Sequence, residues 1–264
     1  MDQTAIFTYL DWQEFYHYEK PFQVFSAISN DSSSTSNLRF KDGLPEIVHD
    51  VRGQEYEFNL NINGFAFSRH AFQAAWFTNA SNIVNLYLPQ MEQLLRQNIQ
   101  DIDRVYFFDW RIRRNIEITK SIIDANDKMQ HLLPARHVHI DQTPSAALGR
   151  TLLHLPEDAD QLLRGRVRIV NLWRPLCEVV EDRPLAMCDV QTVSPRDLVE
   201  ADHVRKHYNG SNYYLKQNSN YKWYYLSRQT RKEVTLIQMF DSAKLGVSGE
   251  LLGSYAPDRK LIIT

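Results

Sequence analysis

The stretch ARHVHIDQTPSAALGR, Ala135–Arg150, places His137, His139 and Asp141 at alternate positions. If residues 136–141 form a strand, this alternation points all three side chains to one face. A His-x-Asp pair on one face supplies two of the three protein ligands of the facial triad that binds non-haem iron. The stretch therefore predicts a strand that carries either a metal site or a hydrogen-bonded pair, and a third ligand has to come from elsewhere.

Composition and charge limit the class of protein. The chain has 264 residues, 43% of them hydrophobic and 12% aromatic, so it can bury a large core, and we expect one domain over residues 1–264. The net charge is −2 and the basic residues are scattered, so no surface should attract nucleic acid or an anionic membrane. No apolar run could span a bilayer, the start lacks a signal-peptide pattern, and the two cysteines form no disulfide framework. These features predict a cytoplasmic protein with neither a nucleic-acid nor a membrane partner.

Strand patterns dominate the second half of the chain. Alternation over Tyr56–Ile62 predicts an early strand that turns at Asn63-Gly64, and three- and four-residue apolar spacing predicts a helix over Asn85–Gln100. The other predicted elements are a helix over residues 115–132 and strands over residues 104–114, 136–141, 166–173, 184–193, 222–227 and 233–240. Helices early and strands late predict a mainly β fold with flanking α-helices, such as a jelly roll.

Five blocks in order resemble one family, the fungal gibberellin-desaturase-like hydroxylase/desaturases of the asaB type. The blocks are VHDVRGQEYEFNLNINGFAFSRH (48–70), HVHIDQT (137–143), VNLWRPLCEVVEDRPLAMCDVQTV (170–193), KWYYLSRQTRKEV (222–234) and MFDS (239–242). The resemblance implies a double-stranded β-helix, a jelly-roll, cupin-like fold. It also implies Fe(II)/2-oxoglutarate-dependent oxidation in fungal secondary metabolism, with diterpenoids and polyketides among the known substrate classes.

The resemblance assigns His139 and Asp141 to two iron-ligand positions, but it places Leu252 where the distal histidine of the family stands. No histidine follows His207, and the family's closing arginine, which pairs with 2-oxoglutarate, has no counterpart in DRKLIIT. A hydrocarbon side chain cannot bind a metal, so we expect no metal and no cofactor. His203 and His207 could share a helix face as substitute ligands; the alternative is a solvated surface turn.

Other candidate site residues lie in the blocks that follow. The predicted catalytic residues are His139, Asp141, Arg174 and Tyr224, and the predicted substrate-binding residues are His137, Asn171, Trp173 and Leu252. Arg174 could grip a carboxylate or carbonyl of the substrate; the alternative is an ion pair with Glu181 or Asp182. For His139 and Asp141 the alternative to catalysis is a structural hydrogen-bonded pair.

These expectations favour a cofactor-independent cyclisation in fungal secondary metabolism. A rigid apolar site that orders a polycyclic, terpenoid-like substrate can lower an intramolecular barrier without a metal, and an intramolecular Diels–Alder (4+2) cycloaddition is the specific hypothesis. One alternative is an Fe(II)/2-oxoglutarate-dependent hydroxylase or desaturase with an atypical metal site. Another is a non-catalytic partner of an oxygenase.

Overall fold

The computed structural model describes residues 1–25, 35–115, 127–205 and 209–244, and the backbone of 260–263. The strands in these parts are β1 Gln3–Ala5, β2 Thr8–Leu10, β3 Phe22–Val24, β4 Phe40–Asp42, β5 Glu46–Asp50, β6 Phe65–Arg69, β7 Arg104–Tyr106, β8 His139–Ile140, β9 Arg166–Trp173, β10 Ala186–Cys188, β11 Leu198–Val204, β12 Asn209–Leu215, β13 Trp223–Tyr225, β14 Glu233–Asp241 and β15 Lys260–Ile263. The helices are α1 Ala80–Asn82, α2 Leu88–Asn98, α3 Pro144–His154 and α4 Ala159–Leu162, and a π-helical turn, Ile83–Tyr87, joins α1 to α2.

The strands form three large sheets and one small one. The sheet orders are β6-β14-β9-β15-β7, β3-β11-β12-β8, β1-β5-β13-β10 and β2-β4. Most neighbouring strands pair antiparallel, and the helices lie outside the sheets. This arrangement confirms the predicted mainly β architecture with flanking helices, a double-stranded β-helix of the jelly-roll type.

The central pair β9–β14 is packed on both faces, which is why apolar residues occur on both sides of each strand. On one face Val167 and Ile169 pack with Ala147 of α3 and with Phe240. On the other face Val170 packs with Leu236 and with helix α2. Because side chains alternate along β9, Asn171 and Trp173 continue the face of Val167 and Ile169 beyond the apolar core. This placement brings them to the candidate site.

The predicted strand Tyr56–Ile62 is wrong. The chain forms a 3-10 turn over Glu55–Glu57 and further turns up to Asn63. Side-chain amides satisfy the backbone there: Asn59 N–H donates to Asn63 Oδ1, and Asn61 N–H donates to Asn59 Oδ1. Such local bonds compete with sheet pairing. The predicted turn at Asn63-Gly64 is confirmed, since Gly64 has a φ of +84° and β6 follows it.

Several predicted elements are shorter in the structure. The helix predicted over Asn85–Gln100 is confirmed as the end of the π-helical turn followed by α2, with Pro89 in its first turn. The strands predicted over 104–114 and 184–193 shrink to β7 and β10. Of the helix predicted over 115–132, residues 116–126 lie outside the described residues, and 127–132 are not helical.

Within the described part of the chain, no helix combines the length and the apolar character needed to cross a bilayer. That residues 1–264 form one domain stays a prediction.

Candidate active site

Strand β8 and the start of α3 hold the His-x-Asp motif in place. β8 pairs antiparallel with β12 at two positions only, His139 with Tyr214 and Ile140 with Tyr213. Immediately after the motif, the Thr143 hydroxyl accepts the Ala146 N–H at 3.3 Å and so caps α3. The same hydroxyl lies 2.6 Å from the Ser211 hydroxyl of β12. Asp141 is therefore fixed between a paired strand and an anchored helix start.

His139 and Asp141 converge on one point. The imidazole Nε2 lies 3.1 Å from Asp141 Oδ1, and Nδ1 donates to the His137 carbonyl oxygen at 2.7 Å. On the other side, the Asn171 amide of β9 donates to Asp141 Oδ2 at 2.6 Å. His139 Nδ1 and Asp141 Oδ2 thus bind the surrounding protein, whereas His139 Nε2 and Asp141 Oδ1 face each other.

The pair is partly enclosed by protein and partly exposed to solvent. Protein atoms surround both side chains on most sides, yet 29% of His139 and 42% of Asp141 remain exposed. Burial opposes the charged form of both groups, but the hydrogen bond and the charge of Asp141 together raise the pKa of His139. The same contact lowers the pKa of Asp141 against the effect of burial. In the described structure the two groups are therefore strongly coupled but accessible.

This arrangement fits two ligands of one metal ion. Imidazole and carboxylate atoms bound side by side, each roughly 2.1 Å from a metal, are about 3 Å apart, which matches the 3.1 Å separation. Metal-binding histidines also commonly donate their other N–H to a carbonyl, as His139 does. Over the described ranges, no three His, Cys, Asp or Glu side chains come together as a metal site. Leu252, predicted at the distal position, lies outside the described residues.

Three predicted substrate-binding residues lie around the pair. His137 stacks on Phe40, with ring centroids 3.8 Å apart and planes at 11°. Asn171 contacts Asp141 directly, and Trp173 occupies the same face of β9 two residues further on. Their roles in substrate binding stay predictions, with His137, Asn171 and Trp173 in positions that suit them.

Arg174 and Tyr224 are occupied elsewhere in the fold. Arg174 is buried, donates to the Ala71 carbonyl oxygen at 3.0 Å and lies over the Tyr87 ring at 5.4 Å; its described contacts do not include the alternative partners Glu181 and Asp182. Tyr224 packs against Phe58 and Phe65, with ring centroids 4.8 and 6.0 Å away. None of their described contacts reaches His139 or Asp141, so their catalytic roles stay predictions without a supporting contact.

Sequence reasoning missed the hairpin β11–β12, which covers one side of the site. The Tyr214 ring lies 6.5 Å from the ring of His139, 6.2 Å from that of His137 and 6.3 Å from that of His203. His203 lies on strand β11, so it occupies neither the helix face nor the surface turn considered for it; His207 lies outside the described residues. Tyrosines favour strands, so Tyr213 and Tyr214 in NGSNYYL, residues 209–215, were a usable strand signal, but no motif marks Tyr214 as a site residue.

Comparison with known proteins gives a consistent assignment. Residues 7–256 match the family described as YDMC, Oxidoreductase/YMDC permease-like domain. The Fe(II)/2-oxoglutarate-dependent dioxygenase nvfI of Aspergillus novofumigatus is 32% identical over 74% of this chain and 69% of the relative. The hydroxylase/desaturase efuI of Hormonema carpetanum is 30% identical over 75% of this chain and 72% of the relative.

The fold leads to the same group of proteins. A solved structure of the iron and alpha-ketoglutarate-dependent endoperoxidase NvfI superposes with a TM-score of 0.77 at 27% identity. The match covers 96% of this chain and 87% of the other.

These findings correct one prediction. The expectation that the protein needs no cofactor is wrong, because the relatives and the structural neighbour depend on iron and 2-oxoglutarate. Leu252 is a single aligned position and does not outweigh a similarity that extends over most of the chain. With a family match over residues 7–256 and relatives 32% and 30% identical over 74% and 75% of it, the chain belongs to the fungal hydroxylase/desaturase family of Fe(II)/2-oxoglutarate dioxygenase relatives.

Proposed function

We propose that this protein is an Fe(II)/2-oxoglutarate-dependent oxygenase that hydroxylates or desaturates a small molecule of fungal secondary metabolism. The observation that carries the proposal is the convergence of His139 Nε2 and Asp141 Oδ1 at 3.1 Å, each supported from behind by a hydrogen bond. The names of the relatives, among them a hydroxylase/desaturase and a dioxygenase, support the same reaction class. The cofactor-independent cycloaddition is set aside, since its premise is contradicted.

In this proposal His139 and Asp141 would hold the iron, which together with 2-oxoglutarate supplies the oxidising power that breaks a C–H bond. The His137 carbonyl keeps one proton of His139 on Nδ1, so Nε2 would present its lone pair once a metal replaces the proton that it shares with Asp141 Oδ1. Asn171 holds Oδ2 of Asp141, so Oδ1 is the carboxylate oxygen that faces Nε2. These residues fix the orientation of Nε2 and Oδ1, the two atoms that would bind the metal, before any metal binds.

The walls around the pair suit an apolar polycyclic substrate. Phe40 stacks on His137, and the Tyr214 ring lies near both histidines of the motif. Aromatic walls of this kind bind apolar ligands, and a few polar groups set their orientation. A terpenoid-like skeleton and a cytoplasmic location remain part of the proposal.

The test is iron binding and 2-oxoglutarate turnover by the full chain. We expect the metal-free protein to take up stoichiometric Fe(II) and then to convert 2-oxoglutarate to succinate, and EDTA should abolish this release. His49→Ala is the matched control, because His49 contacts Asp2 on the surface and should leave both readouts unchanged. Failure to retain iron, together with the absence of succinate, would overturn the proposal.

A further inference from the structure

Among the described residues, two buried polar atoms near the candidate site have no hydrogen-bond partner. Asn212 is only 2% exposed, and its Oδ1 atom is buried and unpaired. The Nε2 atom of His203 is likewise buried and unpaired. Buried polar groups in proteins are nearly always hydrogen-bonded, and exceptions call for an explanation such as a ligand.

Strand pairing places these two atoms on one face of one sheet. In the β11–β12 ladder Asn212 is opposite Ala201, and His203 follows two residues later on β11. Asn212 and His203 are therefore diagonal cross-strand neighbours, with Cα atoms about 7–8 Å apart, close enough for one ligand group to touch both side chains.

The same face carries the candidate iron ligands. The β8–β12 register pairs His139 with Tyr214 and Ile140 with Tyr213; Asp141 follows directly in the chain, and its charge acts on both Tyr214 and His203. The Tyr214 ring lies between the two histidines, 6.3 Å from His203 and 6.5 Å from His139. The unpaired atoms are thus next to the His139–Asp141 pair without belonging to it.

We propose that Asn212 and His203 form a hydrogen-bonding subsite that holds a hydroxyl group of the substrate beside the His139–Asp141 pair. This inference rests on the proposed function and adds the substrate class, a hydroxylated apolar molecule.

The chemistry of the two atoms selects a hydroxyl group. Asn212 Oδ1 can only accept a hydrogen bond, so its partner must donate. Burial lowers the pKa of His203 to about 4, so the neutral ring can present an N–H at Nε2. One hydroxyl can donate to Asn212 and accept from His203 at the same time. A carboxylate has no proton to give Asn212 and would face the charge of Asp141, so the subsite rejects the carboxylates of 2-oxoglutarate.

The test uses the metal-free full chain with labelled histidine nitrogens and two probes. The probes are cyclohexanol and its methyl ether, methoxycyclohexane, which lacks the donor. We expect cyclohexanol to shift the nitrogen-15 resonance of His203 Nε2 and to bind roughly tenfold more tightly than the ether, the scale of one net hydrogen bond. His203→Phe and Asn212→Leu should each remove this preference, and the control His49→Phe should keep it.

Thermal unfolding separates binding from a structural role. Since His203 Nε2 has no partner among the described residues, His203→Phe should leave Tm unchanged or raise it, whereas Asn212→Leu also removes the hydrogen bond between the Asn212 and Tyr214 side chains and should lower Tm slightly. The inference is overturned if the unsubstituted protein binds the alcohol and the ether equally. It is also overturned if cyclohexanol does not move the His203 resonance because a fixed water already occupies the subsite. The unsubstituted protein gives this answer even if a variant does not fold. The probe experiment uses metal-free protein, so its result does not depend on iron. If the protein prefers the alcohol but shows no iron-dependent turnover, only the proposed function is overturned.

Discussion

Two aspartates with cationic neighbours, Asp141 and Asp241, have opposite environments. Asp241 at the end of β14 is fully buried; it accepts from Arg166 Nε at 2.8 Å and from the Ala243 N–H at 3.1 Å. Asp141 is 42% exposed, and its partners are His139 and Asn171. Burial opposes ionisation of both carboxyls, yet hydrogen bonds and opposite charge lower the pKa of each. A carboxylate enclosed by arginines stabilises the fold, whereas one that keeps an accessible oxygen beside an imidazole is available to a ligand.

The sharpest test of this contrast makes the same substitution at both positions. Asp141→Asn should lower Fe(II) affinity by more than the roughly 10–100-fold that loss of an outer-shell partner causes, because it removes a charged ligand. Succinate release should fall with it, while Tm stays close to that of the unsubstituted protein. Iron titration and thermal unfolding measure the two effects. Iron affinity equal to that of the unsubstituted protein would show that Asp141 is structural.

Asp241→Asn should give the reverse result. It removes the carboxylate that pairs with Arg166 and the buried Arg168, and breaking a buried pair from one side costs about 3–5 kcal/mol of unfolding free energy. Urea titration measures this loss, and Fe(II) affinity of the folded protein should stay within error. If stability is unchanged, the enclosed carboxylate does not support the fold.

Asn171→Ala refines the comparison with a smaller effect. The amide holds Asp141 Oδ2 at 2.6 Å, and outer-shell partners typically contribute 10–100-fold to metal affinity. We expect a loss in that range for Fe(II) with little change in Tm. Asn85→Ala serves as the control, because Asn85 is exposed on the π-helical turn and its described hydrogen bond goes to Ser81. An effect on Tm alone would assign Asn171 to packing.

The sequence was sufficient for the parts of the fold that repeat a simple pattern. The run Arg166–Trp173 is rich in apolar and β-branched residues, and its predicted bounds match the strand. The His139–Asp141 pair also follows from alternation within one short segment. Thr143-Pro144 is a clear start signal for helix α3. This helix was not predicted, because the preceding residues were interpreted as a strand.

The rest depends on contacts between distant segments. Tyr56–Ile62 alternates like a strand, but asparagine side chains satisfy its backbone and the sheet pairing never forms. The four-residue spacing of His203 and His207 suggested a helix, whereas seven cross-strand pairs hold His203 in β11. No local pattern marks Asn212, because its importance comes from the buried Oδ1 atom, which has no hydrogen-bond partner among the described residues.

The hairpin β11–β12 has a consequence for the diversification of these enzymes. Its ladder runs unbroken from Leu198–Leu215 to Val204–Asn209, while it joins β8 through only two pairs. Strand β11 also pairs with β3 at three positions, so the seven pairs within the hairpin exceed the five that join it to other strands. In the proposed oxygenase, substitutions along the hairpin would change substrate choice while the His139–Asp141 pair on the neighbouring segment stays the same.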